Sequence, residues 1–191
     1  DEYWYRTYMG GALYAAWYLL HETLPGVDPL GPDNMLVFAN SPIVGAPAPG
    51  LNRLVVCARS PVTGGFGEAQ TGGFCGAELK FAGFDAVVIT GKSPKPVYLY
   101  LENDRAELRD AAHLWGKTCW ETEETIKASH QDPLIRISSI GGAGENGVLY
   151  AAIVNDLHRA AGRSGVGTVM GSKNLKAVAI RGTQGVSGIK D

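Results

Sequence analysis

Along residues 10–24 apolar positions return at helical spacing, with Leu13, Trp17 and Leu20 on one side and small residues on another, which predicts an amphipathic helix. The run PGVDPLGPD, with three prolines and two glycines, then stops it. Beyond that point the pattern shifts to short apolar runs bounded by turn residues. These predict strands at 35–39 and 54–58, separated by the turn-rich loop SPIVGAPAPGLN. Further strands are expected at 87–90, 97–101 and 106–109, the last two joined as a hairpin across ENDR, and at 134–140 and 150–154. Thr118-Cys119-Trp120-Glu121 has capping-box spacing, so a helix should run from there to about Ser129. Glu121, Glu123 and Glu124 then lie near its positive end, on a face expected to be solvated. GTQGVSGIKD reads as a linker-like tail.

Strands arriving singly and in hairpins, with few strand–helix alternations of βαβ length, predict an α+β fold with mixed or antiparallel sheets. An internal repeat refines this. GAELKFAGFDAVVITG (76–91) aligns without a gap on GTVMGSKNLKAVAIRG (167–182), and each copy reads as a glycine-rich entry, a short helix, a lysine-containing turn and a strand. Two β-rich halves with short helices are expected, the second beginning near residues 112–132. Related by a pseudo-twofold axis, they would bring two glycine-rich helix entries near one cleft, an arrangement suited to a ligand with two phosphates.

Composition narrows the partners. A net charge of −2 and a pI near 6.1 make no case for nucleic acid or an anionic membrane, and no apolar run reaches the length needed to cross a bilayer. Cys57, Cys75 and Cys119 are far apart and form no C-x-x-C pair, so no local zinc or iron–sulfur motif is expected. An odd cysteine count without a dense framework predicts reduced thiols and a cytoplasmic setting. The absence of an initiating methionine suggests that the chain begins inside a longer protein.

Among glycine motifs, Gly165-x-Gly167-x-x-x-Gly171 lacks the acidic partner of a dinucleotide fingerprint, and Gly171-Ser172-Lys173 fails the P-loop order. Arg159 and Arg163, four apart, are expected on one helix face as a fork for phosphate oxygens, and Arg53 precedes an apolar strand. His158 reads as structural. No Ser/His/Asp set or carboxylate dyad stands out. The chain reads as built to hold a ligand.

The segments GVDPLGPDNMLVFANSPIVGAPAPGLNR, ARSPVTGGFGEAQTGGFCGAELKFAGFDAVVITGK and GAGENGVLYAAIVNDLHRAAGRSGVGTVMGSKNLKAVAIRG together resemble the N-terminal domain of the aldehyde ferredoxin oxidoreductase family. The similarity runs in order along nearly the whole chain. It implies residues 1–182 as a cofactor-cradling domain, with 183–191 a linker towards further domains. It implies a base for a tungsten (or molybdenum) bis-pyranopterin, beside a [4Fe–4S] cluster held by those later domains. The activity implied is oxidation of a small aldehyde to a carboxylic acid, with ferredoxin as electron acceptor; a homo-oligomer is compatible with it. Residue by residue, Arg53 matches the arginine between cluster and pterin. Gln70 and Gly72 match the segment touching one cofactor half, and Arg159, Ala160 and Gly162 the segment touching the other. Main-chain carbonyls at Gln70 and Ala160 are implied as ligands of a Mg²⁺ joining the pterin phosphates. Gln70 stands where the family more commonly has Asn, Ala12 where a cation is common, and Gly142 where proline is usual. The competing reading is a non-catalytic module that keeps the fold and binds a phosphate ligand or a partner protein.

Overall fold

The structure, a computed structural model, describes residues 2–186. Its elements run α1 (Glu2–Tyr8), α2 (Gly11–His21), β1 (Leu36–Asn40), β2 (Leu54–Arg59), β3 (Phe66–Thr71), α3 (Cys75–Phe81), β4 (Ala86–Ile89), β5 (Val97–Glu102) and β6 (Arg105–Asp110). They continue as α4 (Cys119–His130), β7 (Arg136–Ser139), α5 (Gly142–Glu145), β8 (Ile153–Asn155), β9 (Arg159–Ala161), α6 (Val166–Ser172) and β10 (Leu175–Arg181). One sheet has four strands in the order β3-β2-β1-β4, all antiparallel. The other has six, β6-β5-β10-β7-β8-β9, and is mixed because β10 pairs with β5 in parallel. The α+β class expected from the pattern is the class observed.

The two sheets carry the same unit twice. β1, β2, β3, α3 and β4 recur as β7, β8, β9, α6 and β10, with the same sheet order and the same antiparallel pairings. Helix α3 and helix α6 have equal lengths, and each ends in a residue of positive φ, Gly83 and Asn174, two positions beyond its last turn. The match extends to register: Gln70 lies opposite Val55 in the first sheet as Ala160 lies opposite Val154 in the second.

Burial follows from this layering. Helix α3 packs on β10 and β7 of the second unit, and α6 on β1, β2 and β3 of the first, so each short helix sits on the other unit's sheet. Leu36, Phe38, Leu54, Val56, Leu99, Leu101, Val178 and Ile180 from the two sheets close on Leu79, Val169 and Met170 from these helices, in one apolar core. The outer faces are covered by α2, whose Ala15 meets Val37, Ala39, Val55 and Cys57, and by α4, whose Ile126 meets Tyr98, Ile137 and Ala179. A strand buried on both faces loses strict alternation, which is why β1 reads as a continuous apolar run. Helix α6 is buried along nearly its whole length. A Cβ at Gly167 would collide with the Ala151 and Ala152 carbonyls, and one at Gly171 with the Gly144 carbonyl. Only glycine permits that approach of backbone to backbone.

Local signals in the sequence translate directly. The Thr118 hydroxyl accepts from the Glu121 amide at 3.2 Å while the Glu121 carboxylate accepts from the Thr118 amide at 2.8 Å, closing the capping box. Asn103 and Asp104 take φ of 41° and 68°, the left-handed pair that a two-residue hairpin turn demands. Other expectations need correction. The first helix ends at His21 and is preceded by α1. The acidic face of α4 is not wholly solvated: Glu123 is buried and pairs with Lys127 at 2.5 Å. Strands β3 and β9 were absent from the expected set, and the strands expected at 134–140 and 150–154 are the shorter β7 and β8. The tail expected as a linker is described only to Val186; residues 187–191 lie outside the described part.

Candidate functional site

The recess between the two units is built by the two strands that close their sheets, β3 and β9. Its rim is fixed by side chains reaching across the seam. The Asn155 carboxamide donates to the Gly72 carbonyl at 2.8 Å and accepts from the Thr71 hydroxyl at 2.7 Å. The Asp156 carboxylate accepts from the Phe74 amide at 2.6 Å, and the Ser164 hydroxyl donates to the Glu68 carbonyl at 3.0 Å. The Arg136 guanidinium lies 4.6 Å over the Phe74 ring. Gly73 has φ of 94°, and a Cβ there would run into Asp156 and Asn155, so the turn after β3 can only close on the second unit through glycine.

These contacts orient the free edge of β3. The carbonyls of Glu68 and Gly72 accept from the second unit, on the side away from β2. Residues two apart along a strand present their carbonyls to the same side, so the Gln70 carbonyl between them also faces that free edge. Ala160 holds the equivalent register in β9, itself the last strand of its sheet. Glu68, Ala69, Gln70, Ala160, Gly162 and Arg163 line one recess of about 500 Å³.

Of the residues singled out in the sequence, Gln70, Ala160 and Gly162 thus come together in the recess wall. Gly72 lies at its end, its carbonyl held by Asn155. Arg159, in β9, has its Cγ 3.2 Å from the point where a Cβ on Gly73 would stand, so its stem packs against the turn after β3. Arg53 precedes Leu54, the residue paired with Thr71, and its neighbour Asn52 donates to the Gly73 carbonyl at 3.0 Å. All six therefore fall at one end of the seam. The expected arginine fork on a helix is corrected: Arg159 is in strand β9 and Arg163 in the loop before α6, because the segment pairs with β8 instead of coiling. Arg163, which the resemblance had not assigned, lines the recess directly. His158 is exposed in the turn ahead of Arg159.

The surface is open to anions. Arg53, Arg159 and Arg163 are exposed, and their guanidinium groups have no hydrogen-bond or ion-pair partner among the described residues. Gly162 faces open space apart from Ala160 at 4.0 Å, which leaves its backbone approachable. Bare backbone, two convergent free strand edges and uncommitted cations fit a large, phosphate-bearing cofactor. The thiols are differently placed. Burial, and then the charge of Glu68 across the ladder, push the Cys57 thiol up to about 12, and burial raises that of the fully buried Cys75 as well. Among the described residues there is no group of three or more His, Cys, Asp or Glu that could hold a metal ion, and no helix long and apolar enough to cross a membrane.

A duplicated α+β fold with an open recess at its seam is the class that fold and geometry define. Within that class, residues 1–182 match the family model described as the aldehyde ferredoxin oxidoreductase N-terminal domain, and the chain belongs to that family. It is 51% identical over 186 residues to the tungsten-containing aldehyde ferredoxin oxidoreductase of Pyrococcus furiosus, covering 97% of this chain and 31% of that protein. The enzyme of the same name from Thermococcus kodakarensis is 51% identical, covering 95% and 30%. Among solved structures, the active-site complex BamBC of benzoyl coenzyme A reductase, determined with 1,5-dienoyl-CoA, superposes with a TM-score of 0.94 at 44% identity, covering 97% of this chain and 28% of that one. The chain thus spans a little under a third of the relatives it matches.

Proposed function

We propose that this chain is the base on which a tungsto-bispterin cofactor sits, in an enzyme that oxidises aldehydes to carboxylic acids and passes the electrons to ferredoxin. The observation that supports it is the equivalence of Gln70 and Ala160, which occupy matching register positions on two strand edges lining a single recess. A ligand with two similar halves meets two similar surfaces there. The main-chain carbonyls of Gln70 and Ala160 would help to hold a Mg²⁺, which would offset the negative charge of the cofactor's phosphates. Gly72 and Gly162 would let those halves approach the backbone, and Arg53, Arg159 and Arg163 would supply charge-assisted hydrogen bonds.

When bound, the cofactor supplies the two-electron oxidation of the aldehyde, with water as the source of the added oxygen. The work of this chain is binding and orientation. The seam contacts from Asn155, Asp156 and Ser164 hold the two edges at fixed separation, so neither cofactor half must order the protein as it binds. The [4Fe–4S] cluster would come from polypeptide beyond this chain.

The likeness to the benzoyl coenzyme A reductase complex favours one second reading, in which the same base serves reduction of an aromatic acyl-CoA. The full-length protein, expressed in a tungstate-supplied anaerobic host, separates them. Stoichiometric tungsten (or molybdenum) and pterin with aldehyde-dependent reduction of ferredoxin supports the oxidase. Metal and pterin with turnover only of an aromatic acyl-CoA supports the reductase. A folded protein lacking both groups leaves the non-catalytic binding module.

A further inference from the structure

The two units differ in one connection. Between β8 and β9 the chain turns in three residues, 156–158, whereas between β2 and β3 it takes six, 60–65. The longer loop and the chain leaving α2 together wall a pocket of about 290 Å³. Its lining is mainly apolar, with Leu19, Leu20, Leu24, Val27 and Phe66 around it. None of its residues lines the recess between β3 and β9.

Two polar groups stand in this apolar wall. Arg59 ends β2, and the fully buried Asn34 clamps its main chain: the carboxamide accepts from the Arg59 amide and donates to its carbonyl, both at 3.0 Å. The loop is held as well, since the Ser60 hydroxyl accepts from the Val62 and Thr63 amides at 3.2 Å. The Arg59 side chain is steered by its Nε, which donates to the Gly64 carbonyl at 2.9 Å. With Nε committed, the two Nη groups remain as the end-on fork that matches a carboxylate. They have no hydrogen-bond or ion-pair partner among the described residues. Thr23 is the second group. Its hydroxyl oxygen is buried and has no partner among the described residues either, which is uncommon for a buried polar atom and calls for one.

We propose that this pocket binds a small carboxylate with an apolar body, aromatic or short-chain aliphatic. The carboxylate accepts from the Arg59 Nη groups and from the Thr23 hydroxyl, and the body packs on Leu19, Leu20 and Phe66. The volume falls just below the roughly 300–1,000 Å³ of pockets for drug-sized ligands, so the occupant is a small one. One cation in an apolar wall suits a monoanion. A phosphate would leave its second charge and its remaining oxygens against leucine and phenylalanine side chains, unpaired. An acid of this class is also what the proposed activity would release, but the site stands on its own residues and does not depend on that activity.

The test uses the full-length protein with 4-azidobenzoate as a photoaffinity probe. Irradiation should label peptides covering residues 19–27 and 60–66, and benzoate should suppress that labelling. Benzyl alcohol, the neutral analogue, should compete at least about tenfold less well because it forfeits the charge-assisted pair, and inorganic phosphate should not compete. These comparisons are made on the wild type, so they hold even where a variant misfolds. Arg59→Gln should cut the labelling at least about tenfold, and Thr23→Val, which keeps the shape and removes the hydroxyl, about threefold. Labelling confined to other peptides or not displaced by benzoate, benzyl alcohol or phosphate competing as well as benzoate, or unchanged labelling in either variant would each overturn the proposal.

Discussion

The Thr71 hydroxyl donates to the Asn155 carboxamide at 2.7 Å, and the same carboxamide donates to the Gly72 carbonyl at 2.8 Å, so one buried side chain of the second unit holds the end of β3 in the first. Removing it leaves both groups without that partner at the seam. Asn155→Ala should cost about 2 kcal/mol of unfolding free energy, and Asn155→Asp more, since a buried carboxylate there faces the Gly72 carbonyl and Asp156 with no proton to donate. Urea denaturation checks the order; equal stability of all three proteins would deny the seam its role.

The turn between β8 and β9 stores strain close to Arg159. Leu157 has φ of 57° directly after Asp156 at 48°, a conformation that a branched side chain adopts at a cost of about 1 kcal/mol or more. Leu157→Gly should therefore leave stability within about 0.5 kcal/mol, in contrast to most leucine-to-glycine changes, because relief of this strain offsets glycine's greater unfolded-state entropy. Thermal and urea denaturation give the difference directly.

Lys173 predicts a pH dependence. It is 2% exposed, its ammonium donates to the Pro32 and Gly91 carbonyls at 3.1 and 2.9 Å, and burial lowers its pKa from 10.5 to about 8. Between those values the unfolded chain keeps a proton that the folded one has released, so this residue's contribution to stability rises with pH across that window. The unfolding free energy of the wild type minus that of Lys173→Met should increase from pH 8 to pH 10. A flat or falling difference would contradict it.

Gly73 and Gly162 separate fold from site. At Gly73 a Cβ meets Asp156 and Asn155 in a positive-φ turn, so Gly73→Ala should destabilise the protein by about 2 kcal/mol or more. At Gly162 the Cβ meets only Ala160 at 4.0 Å and φ is ordinary, so Gly162→Ala should leave stability within about 0.5 kcal/mol. Calorimetry on both variants tests the contrast.

The parts of the fold written locally could be read from the chain. The capping box at Thr118 and the Asn103-Asp104 turn each depend on residues within a few positions, and the repeat announced itself because both copies keep their small residues in step. Strands β3 and β9 were hidden for a physical reason. FGEAQT buries only Gly67, Ala69 and Thr71, none of them large, and Arg159–Ala161 is held by pairing with β8. Helix-favouring alanines and arginines at 159–163 pointed to a fork on a helix, and tertiary pairing overrode that local preference. The candidate site was legible only through family resemblance. No spacing in the sequence links Gln70 to Ala160; the link is a shared register, which exists only once both sheets have formed.

The central claim is that the recess between β3 and β9 receives the phosphate-bearing cofactor. Tungsten and pterin content of full-length Gly162→Val, set beside the wild type and a Lys95→Ala control, tests it most directly. Lys95 forms only an exposed pair with Asp110, so its loss should change nothing measurable. The account predicts that Gly162→Val loses most of its tungsten and pterin, about fivefold or more, while the Tm of the cofactor-free protein stays within about 2 °C of wild type. Full cofactor content in Gly162→Val would contradict it.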